Sequence, residues 1–330
     1  MPLPLTMIAR RVAAALLLFW LVLTLTFALV RLAPGDPAAL LVAPSASAAD
    51  VARLRAELGL DAPVAVQYAR WSAGVLRGDL GESISRRQPV TAVLREALPV
   101  SVALGGASLL LTFLIALPLG LWQGARRGRA GDHVATVMTT VLAAAPTFWL
   151  ALALVALFTY GAAAWGLPAA LRLPAFGMRS PGMELQGWAA ASDLLRHAIL
   201  PVGILAAVGA AGVTRYVRGS AIELLDGDFV RTARAKGAGP ARVHLRHVLA
   251  NILPPIITLL ALSFPGVVAG SVFVESVFAW PGMGRTMLGA IAARDYPLVM
   301  GCAALYGALV IAANMAAELV LPLVDPRRRG

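Results

Sequence analysis

The chain has 330 residues, 59% of them hydrophobic and only 14% charged, with a mean hydropathy of +0.78. A soluble domain carries about 25% charged residues, so the composition excludes an ordinary soluble domain and points to a polytopic membrane protein. The net charge is +11, from 28 basic and 17 acidic residues, but the arginines flank apolar runs, so the charge is read as membrane topology and not as a nucleic-acid surface.

Val12 to Val30 is uncharged, follows Arg10 and Arg11, and is long enough to cross a bilayer, which takes about 20 apolar residues. A cleaved signal peptide would have a shorter apolar region, and the Ala46-Ser47-Ala48 match lies too far downstream. This run is therefore read as an uncleaved first span with its N-terminus in the cytoplasm. LAPGDPA then breaks the helix with Pro34, Gly35 and Pro37. Asp50 is expected to cap an amphipathic helix through Leu58, and Pro63 to open another through Leu76. VTAVLREALP reads as an interfacial helix capped by Thr91.

Val100 to Trp122 is the second span, and Arg126, Arg127 and Arg129 form a short basic loop expected in the cytoplasm. The third span runs from Val134 to about Tyr160, and the fourth from Ala198 to Thr214. The fifth is Ile252 to about Phe273, with Pro265 and the Gly266/Gly270 pair. The sixth is Leu298 to about Leu323, with Glu318 near its inner end, before Pro326 and Arg327 to Arg329. Both termini and the clearest basic loops fall on one side of this six-span count. The fold class is thus all-α integral membrane. The divisions are an N-terminal span (1–33), an extracytoplasmic insertion with amphipathic helices (34–97) and a five-span core (98–330) that includes the loop 215–251.

The segment from Asp228 to Pro255 is the most polar long stretch of the C-terminal half. Asp228 is expected to cap a short helix that Gly237 ends in a left-handed conformation. Pro240, after Gly239, opens a second helix. Arg231, Arg234, Lys236, Arg242 and Arg246 would face water or a partner, while Val230, Ala233, Val243 and Leu249 supply an apolar side. A basic helix-turn-helix between two spans suits a cytoplasmic partner.

This segment resembles the coupling loop of permease subunits of bacterial ABC importers, and TARAKG with RHVLANILPP resembles the dipeptide, oligopeptide and nickel branch of that binding-protein-dependent family. Gly237 matches the glycine of the general pattern and Ala233 its second alanine, whereas Arg231 and Thr232 replace its Glu and first Ala. The Leu-Pro pair comes at Leu253 and Pro254, later than in the general pattern, as in the peptide branch. LAPGDPA, ELGLDAPVAVQYARW, GDLGES, APTFWL and VFVESVFAWPGMG resemble the same permeases.

The resemblance implies a six-span permease of the bacterial inner membrane, with a cytoplasmic coupling helix between spans four and five. Its implied partners are a second homologous permease, two ATP-binding subunits, an extracytoplasmic solute-binding protein and membrane lipid. Asp228, Arg231, Ala233, Arg234, Lys236, Gly237 and Arg242 would then carry the contact with the ATPase. Peptides are the implied cargo, with nickel, glutathione or another solute as the alternative. A membrane enzyme would need convergent catalytic groups, which the chain does not offer, and a channel working without ATPases would have no need of a docking helix.

No cofactor site and no catalytic set emerge. The sole lysine, Lys236, precedes Gly237, so the Lys-Ser/Thr of a phosphate-binding loop cannot occur, and any ATPase is a separate subunit. His244 and His247 share a helix face without a carboxylate or cysteine partner, and Cys302 is the sole cysteine. Ser101 and Ser108 are read as helix-packing residues, as are Gly203, Gly209 and Gly212. Glu275 is an acidic residue near the outer end of span five, costly at that depth. It either supports the turn formed by Pro281, Gly282 and Gly284 or acts as a gate; the turn reading is preferred.

Overall fold

The computed structural model describes residues 5–32, 38, 47–57, 59–168, 171–269 and 271–324, without side chains at 5–8, 261–262, 264–265, 268–269 and 316–324. Pro34, Gly35, Pro37, Leu58, Gly270 and the segment from Pro326 to Arg329 lie outside the described residues, as do the side chains of Pro265 and Glu318. Among the described residues, six helices are long and apolar enough to cross a membrane. They begin at Ala9, Val90, Thr147, Gly187, Pro240 and Tyr296, which agrees in number and order with the six apolar runs of the sequence. The chain divides into two compact units, residues 1–100 with 281–313, and residues 101–280 with 314–330.

The first unit holds α1 (Leu5–Leu32), α2 (Ala48–Glu57), α3 (Val64–Leu76), a hairpin of β1 (Glu82–Ser83) and β2 (Gln88–Pro89), the start of α4 (Val90–Ala125), α11 (Met283–Ala292) and most of α12 (Tyr296–Val324). The α2 cap is Ser47, not Asp50. Asp50 Oδ2 accepts from the Ser47 amide at 3.1 Å while the Asp50 amide donates to Ser47 Oγ at 3.2 Å, a reciprocal box in which Asp50 sits three residues inside the cap. Pro63 does precede α3 as its N-cap. Phe27 of α1 stacks on Trp71 of α3 at 5.7 Å and meets Tyr68 edge-on at 5.2 Å. The core joins Val90, Val93, Leu94 and Ala97 to Met283, Ala290, Leu298 and Cys302.

The buried Asp295 ties this unit together. Its Oδ2 accepts from Ser83 Oγ at 2.6 Å, Ser85 Oγ at 2.7 Å and the Ser85 amide at 2.9 Å, while Oδ1 accepts from the Leu298 amide at 3.1 Å. The hairpin is thus hydrogen-bonded to the first turn of α12.

The second unit holds the rest of α4, α5 (Ala130–Ala144), α6 (Thr147–Val155), α7 (Gly187–Leu225), α8 (Asp228–Ala235), α9 (Leu249–Ala269) and α10 (Val272–Val277). Three expectations about the helices change. VTAVLREALP is not a separate interfacial helix with a Thr91 cap: α4 runs unbroken from Val90 through Pro99. Proline removes one backbone bond, but the four buried residues ahead of it hold that turn against its neighbours. Conversely, the third span is interrupted. Ala145 is extended, at φ −75° and ψ 136°, because the ring of Pro146 disfavours a helical conformation in the residue before it. The helix that carries the fifth span starts at Pro240, ahead of the expected Ile252, and passes through a π-helical turn (Val243–Val248) into α9; Phe273, expected at the end of the span, belongs to the separate α10.

Candidate functional site

The basic segment folds as a short helix, a tight turn and the start of a long helix. Gly227, not Asp228, is the N-cap of α8: it is extended at φ −72° and ψ 148°. Asp228 is the first helical residue, where its charge opposes the positive end of the helix dipole. Its Oδ1 accepts from Arg231 at 3.2 Å, with both side chains exposed, so this pair adds little stability. Gly237 has φ 83°. Its amide donates to Arg234 O at 2.9 Å and the Ala238 amide donates to Ala233 O at 3.0 Å, which closes the helix as left-handed glycine termini do. Gly239 caps the next helix, with Pro240 in its first turn. His244 Nδ1 lies 2.6 Å from Pro240 O.

The two faces of this segment differ. Val230 and Ala233 are buried, as are Val243 and Val248. With Leu121 of α4, Val217 and Ala221 of α7, and Ile252 and Ile256 of α9, Val230, Val243 and Val248 form one apolar cluster. Asp228, Arg231, Arg234, Lys236, Gly237 and Arg242 are exposed. The turn is therefore fixed on its inner side and basic on its outer side.

An ion pair between a buried Asp132 and a partly exposed Arg218 lies close to this cluster and was missed in the sequence reading. Asp132, in the first turn of α5, is 0% exposed. Its Oδ1 accepts from Arg218 Nε at 2.7 Å, and its Oδ2 from Arg218 Nη2 at 2.8 Å and the Gly128 amide at 3.0 Å. The Arg218 hydrogen bonds hold the Asp132 carboxyl down at about 2, against the opposing effect of burial. A lone acidic residue after three arginines was the available signal, but its partner lies 86 positions away.

Helices α4 and α7 run side by side in constant register. A Cβ added at Gly120 would lie 2.6 Å from Val217 Cβ, one at Gly124 2.7 Å from Ala221 Cβ, and one at Gly209 2.7 Å from Thr112 Oγ1. Gly203, Gly212 and Gly266 face open space among the described residues. Packing thus explains Gly209 but not the other two glycines singled out in the fourth span.

In the same unit, a cavity of about 280 Å³ is lined by residues that include Ser101, Ser108, Thr112, Ser263, Ser271 and Glu275. Glu275 lies in α10, whose cap is Ser271. Its Oε1 accepts from Ser101 Oγ at 2.7 Å, so Ser101 has a partner that packing arguments did not supply. Pro281, Gly282 and Gly284 lie in the first unit, where Gly282 caps α11 and Gly284 is buried within it.

Residues 116–330 match the family described as the inner membrane component of binding-protein-dependent transport systems, and residues 4–105 match its N-terminal counterpart. The chain is 33% identical over 97% of its length to the oligopeptide transport system permease protein AppB of Bacillus subtilis, covering 98% of that protein. It is 37% identical over 98% of its length to a putative peptide transport system permease of Brucella abortus, again covering 98%. It is 37% identical over 93% of its length to the probable D,D-dipeptide transport system permease DdpB of Escherichia coli, covering 92%. Among solved structures, a chain of the MetNI methionine ABC transporter in its inward facing conformations is similar at a TM-score of 0.49 and 17% identity, over 71% of this chain and 97% of that one, a likeness too slight to add to the assignment. With both family matches spanning its two parts and relatives above 30% identity along nearly its whole length, this chain belongs to the inner membrane components of binding-protein-dependent transport systems.

Proposed function

We propose that this protein is the permease subunit of an ATP-driven peptide importer. The peptide cargo is supported by relatives that match nearly the full chain and are named for oligopeptide or dipeptide transport. The observation that carries the coupling role is the two-sided α8. Its apolar face is set in a cluster with α4, α7 and α9, and its basic face is exposed. A helix held this way passes a push to the spans instead of swinging on a loop.

In this reading Asp228, Arg231, Ala233, Arg234, Lys236, Gly237 and Arg242 form the element on which an ATP-binding subunit docks. Two such subunits, a second homologous permease and an extracytoplasmic binding protein complete the transporter. Both termini and the Arg126–Arg129 loop lie in the cytoplasm, consistent with the arginine asymmetry of the short loops. Residues 1–33 form the first span, 34–97 the extracytoplasmic insertion and 98–330 the transport core, with 215–251 as the coupling loop. The Ser101 hydrogen bond holds the Glu275 side chain in place, which supports a structural role for Glu275 over a gate.

The test is reconstitution in liposomes with the paired permease, both ATPases and the binding protein, scored by uptake of labelled tri-alanine. ATP-dependent uptake that stops when the binding protein is omitted supports the reading. Assembly without any peptide uptake, or uptake without the ATPases, overturns it.

A further inference from the structure

We propose that Asp132 and Arg218 are a positioning pair that makes α5 follow the coupling segment, so that α4, α5 and α7 move with α8 as one body. The proposal rests on the reading of α8 as the ATPase-docking element.

Arg218 lies roughly 10 Å before the end of α7, at 1.5 Å per residue, and α7 leads through Asp226 and Gly227 directly into α8. Val230 of α8 shares a cluster with Val217 and Ala221, one on each side of Arg218 in sequence. A displacement of α8 therefore reaches α7 at the turn that carries Arg218. The guanidinium holds both carboxylate oxygens of Asp132, at 2.7 and 2.8 Å. A two-pronged bond of this kind fixes orientation as well as distance, so α5 inherits the rotation of α7 and not only its translation.

Two further devices close the body. Gln123 of α4 donates to Asp132 O at 3.4 Å and to Thr136 Oγ1 at 3.2 Å, and Gly131 packs against Trp122. Gly120 and Gly124 bring the backbone of α4 against α7, leaving no flexible side chain between them to absorb movement. The body stops at Ala145, where the extended residue before Pro146 separates α5 from α6. Besides Arg218, the Gly128 amide and the neighbouring His133 act on the Asp132 carboxylate, the Gln123 amide reaches the Asp132 backbone carbonyl, and Arg127 is engaged with Asp226 at 3.8 Å.

Spin labels at Val137, which is 62% exposed, and Arg234, which is exposed, read the distance between α5 and α8. In the reconstituted transporter this distance is expected to stay the same between the ATP-free and vanadate-trapped states. In Asp132→Asn it should broaden, and tri-alanine moved per ATP hydrolysed should fall about fivefold or more, with the ATPases still co-purifying. The exchange Asp132→Arg with Arg218→Asp should restore both readouts, and Arg218→Lys, which keeps the charge but loses the fork, should restore neither fully. A merely destabilised protein would be present in smaller amount without a changed ratio of transport to hydrolysis. A wild-type distance that shifts between the two states, or an Asp132→Asn variant with wild-type width and ratio, overturns the proposal. If the ATPases dock elsewhere, the Arg234 label will not respond to their addition. That result sinks the docking reading, while the width measured on the permease alone still decides whether the pair fixes α5 to α8.

Discussion

Ser101 donates to Glu275 Oε1 across 2.7 Å, and both side chains are buried. A carboxylate at membrane depth is tolerated when protein groups replace its hydration. Glu275→Gln keeps an acceptor oxygen and is expected to insert normally and retain most uptake. Ser101→Ala deletes a donor to a buried carboxyl group and should lower the thermal midpoint in detergent, by the equivalent of ~1–3 kcal/mol. Uptake abolished in Glu275→Gln with assembly intact would instead identify a gate.

The register of α4 against α7 gives a second expectation. At Gly124 a methyl group would lie 2.7 Å from Ala221 Cβ, backed by the α7 main chain. Overpacking of this kind costs about 1–3 kcal/mol, so Gly124→Val should destabilise the protein by that order. Gly203→Val, where nothing lies within 4 Å, should not. Thermal unfolding of the two purified variants makes the comparison; equal midpoints would contradict the close approach.

Gly237 concerns the turn itself. An added Cβ there meets nothing within 4 Å, so the cost of a side chain is conformational and comes from the left-handed φ of 83°, about 1–2 kcal/mol. Gly237→Val should insert but co-purify less ATPase, and Gly237→Asn, which tolerates this conformation, should behave nearly as wild type. Arg234→Glu should also weaken co-purification, by an amount that shrinks at high salt because exposed charges are screened. If Gly237→Val assembles and transports as wild type, the assignment of this turn as the coupling element is refuted.

Topology is checked with membrane-impermeant maleimide on intact cells. Ser72, a natural choice in the insertion, has a buried hydroxyl, so the exposed Arg77 is the better position. Arg77→Cys should label from outside and Arg127→Cys should not. Outside labelling at position 127 would invert the arrangement.

The amino-acid sequence by itself determined the number and order of the spans, because a run of about twenty apolar residues has nowhere else to go. It also determined the left-handed Gly237 and the Gly239-Pro240 start, since these are choices of backbone conformation made by one or two residues. Proline was less legible. Pro99 stays inside a helix and Pro146 follows a break, because buried neighbours hold the turn ahead of Pro99 while Ala145 takes the extended conformation that a following proline favours. Only the tertiary structure could join Asp132 to Arg218, 86 positions apart, or Ser101 to Glu275, 174 positions apart. Asp132, Ser101 and Glu275 are each an unfavourable buried polar group alone; the partner that makes burial tolerable is chosen by how the helices stack.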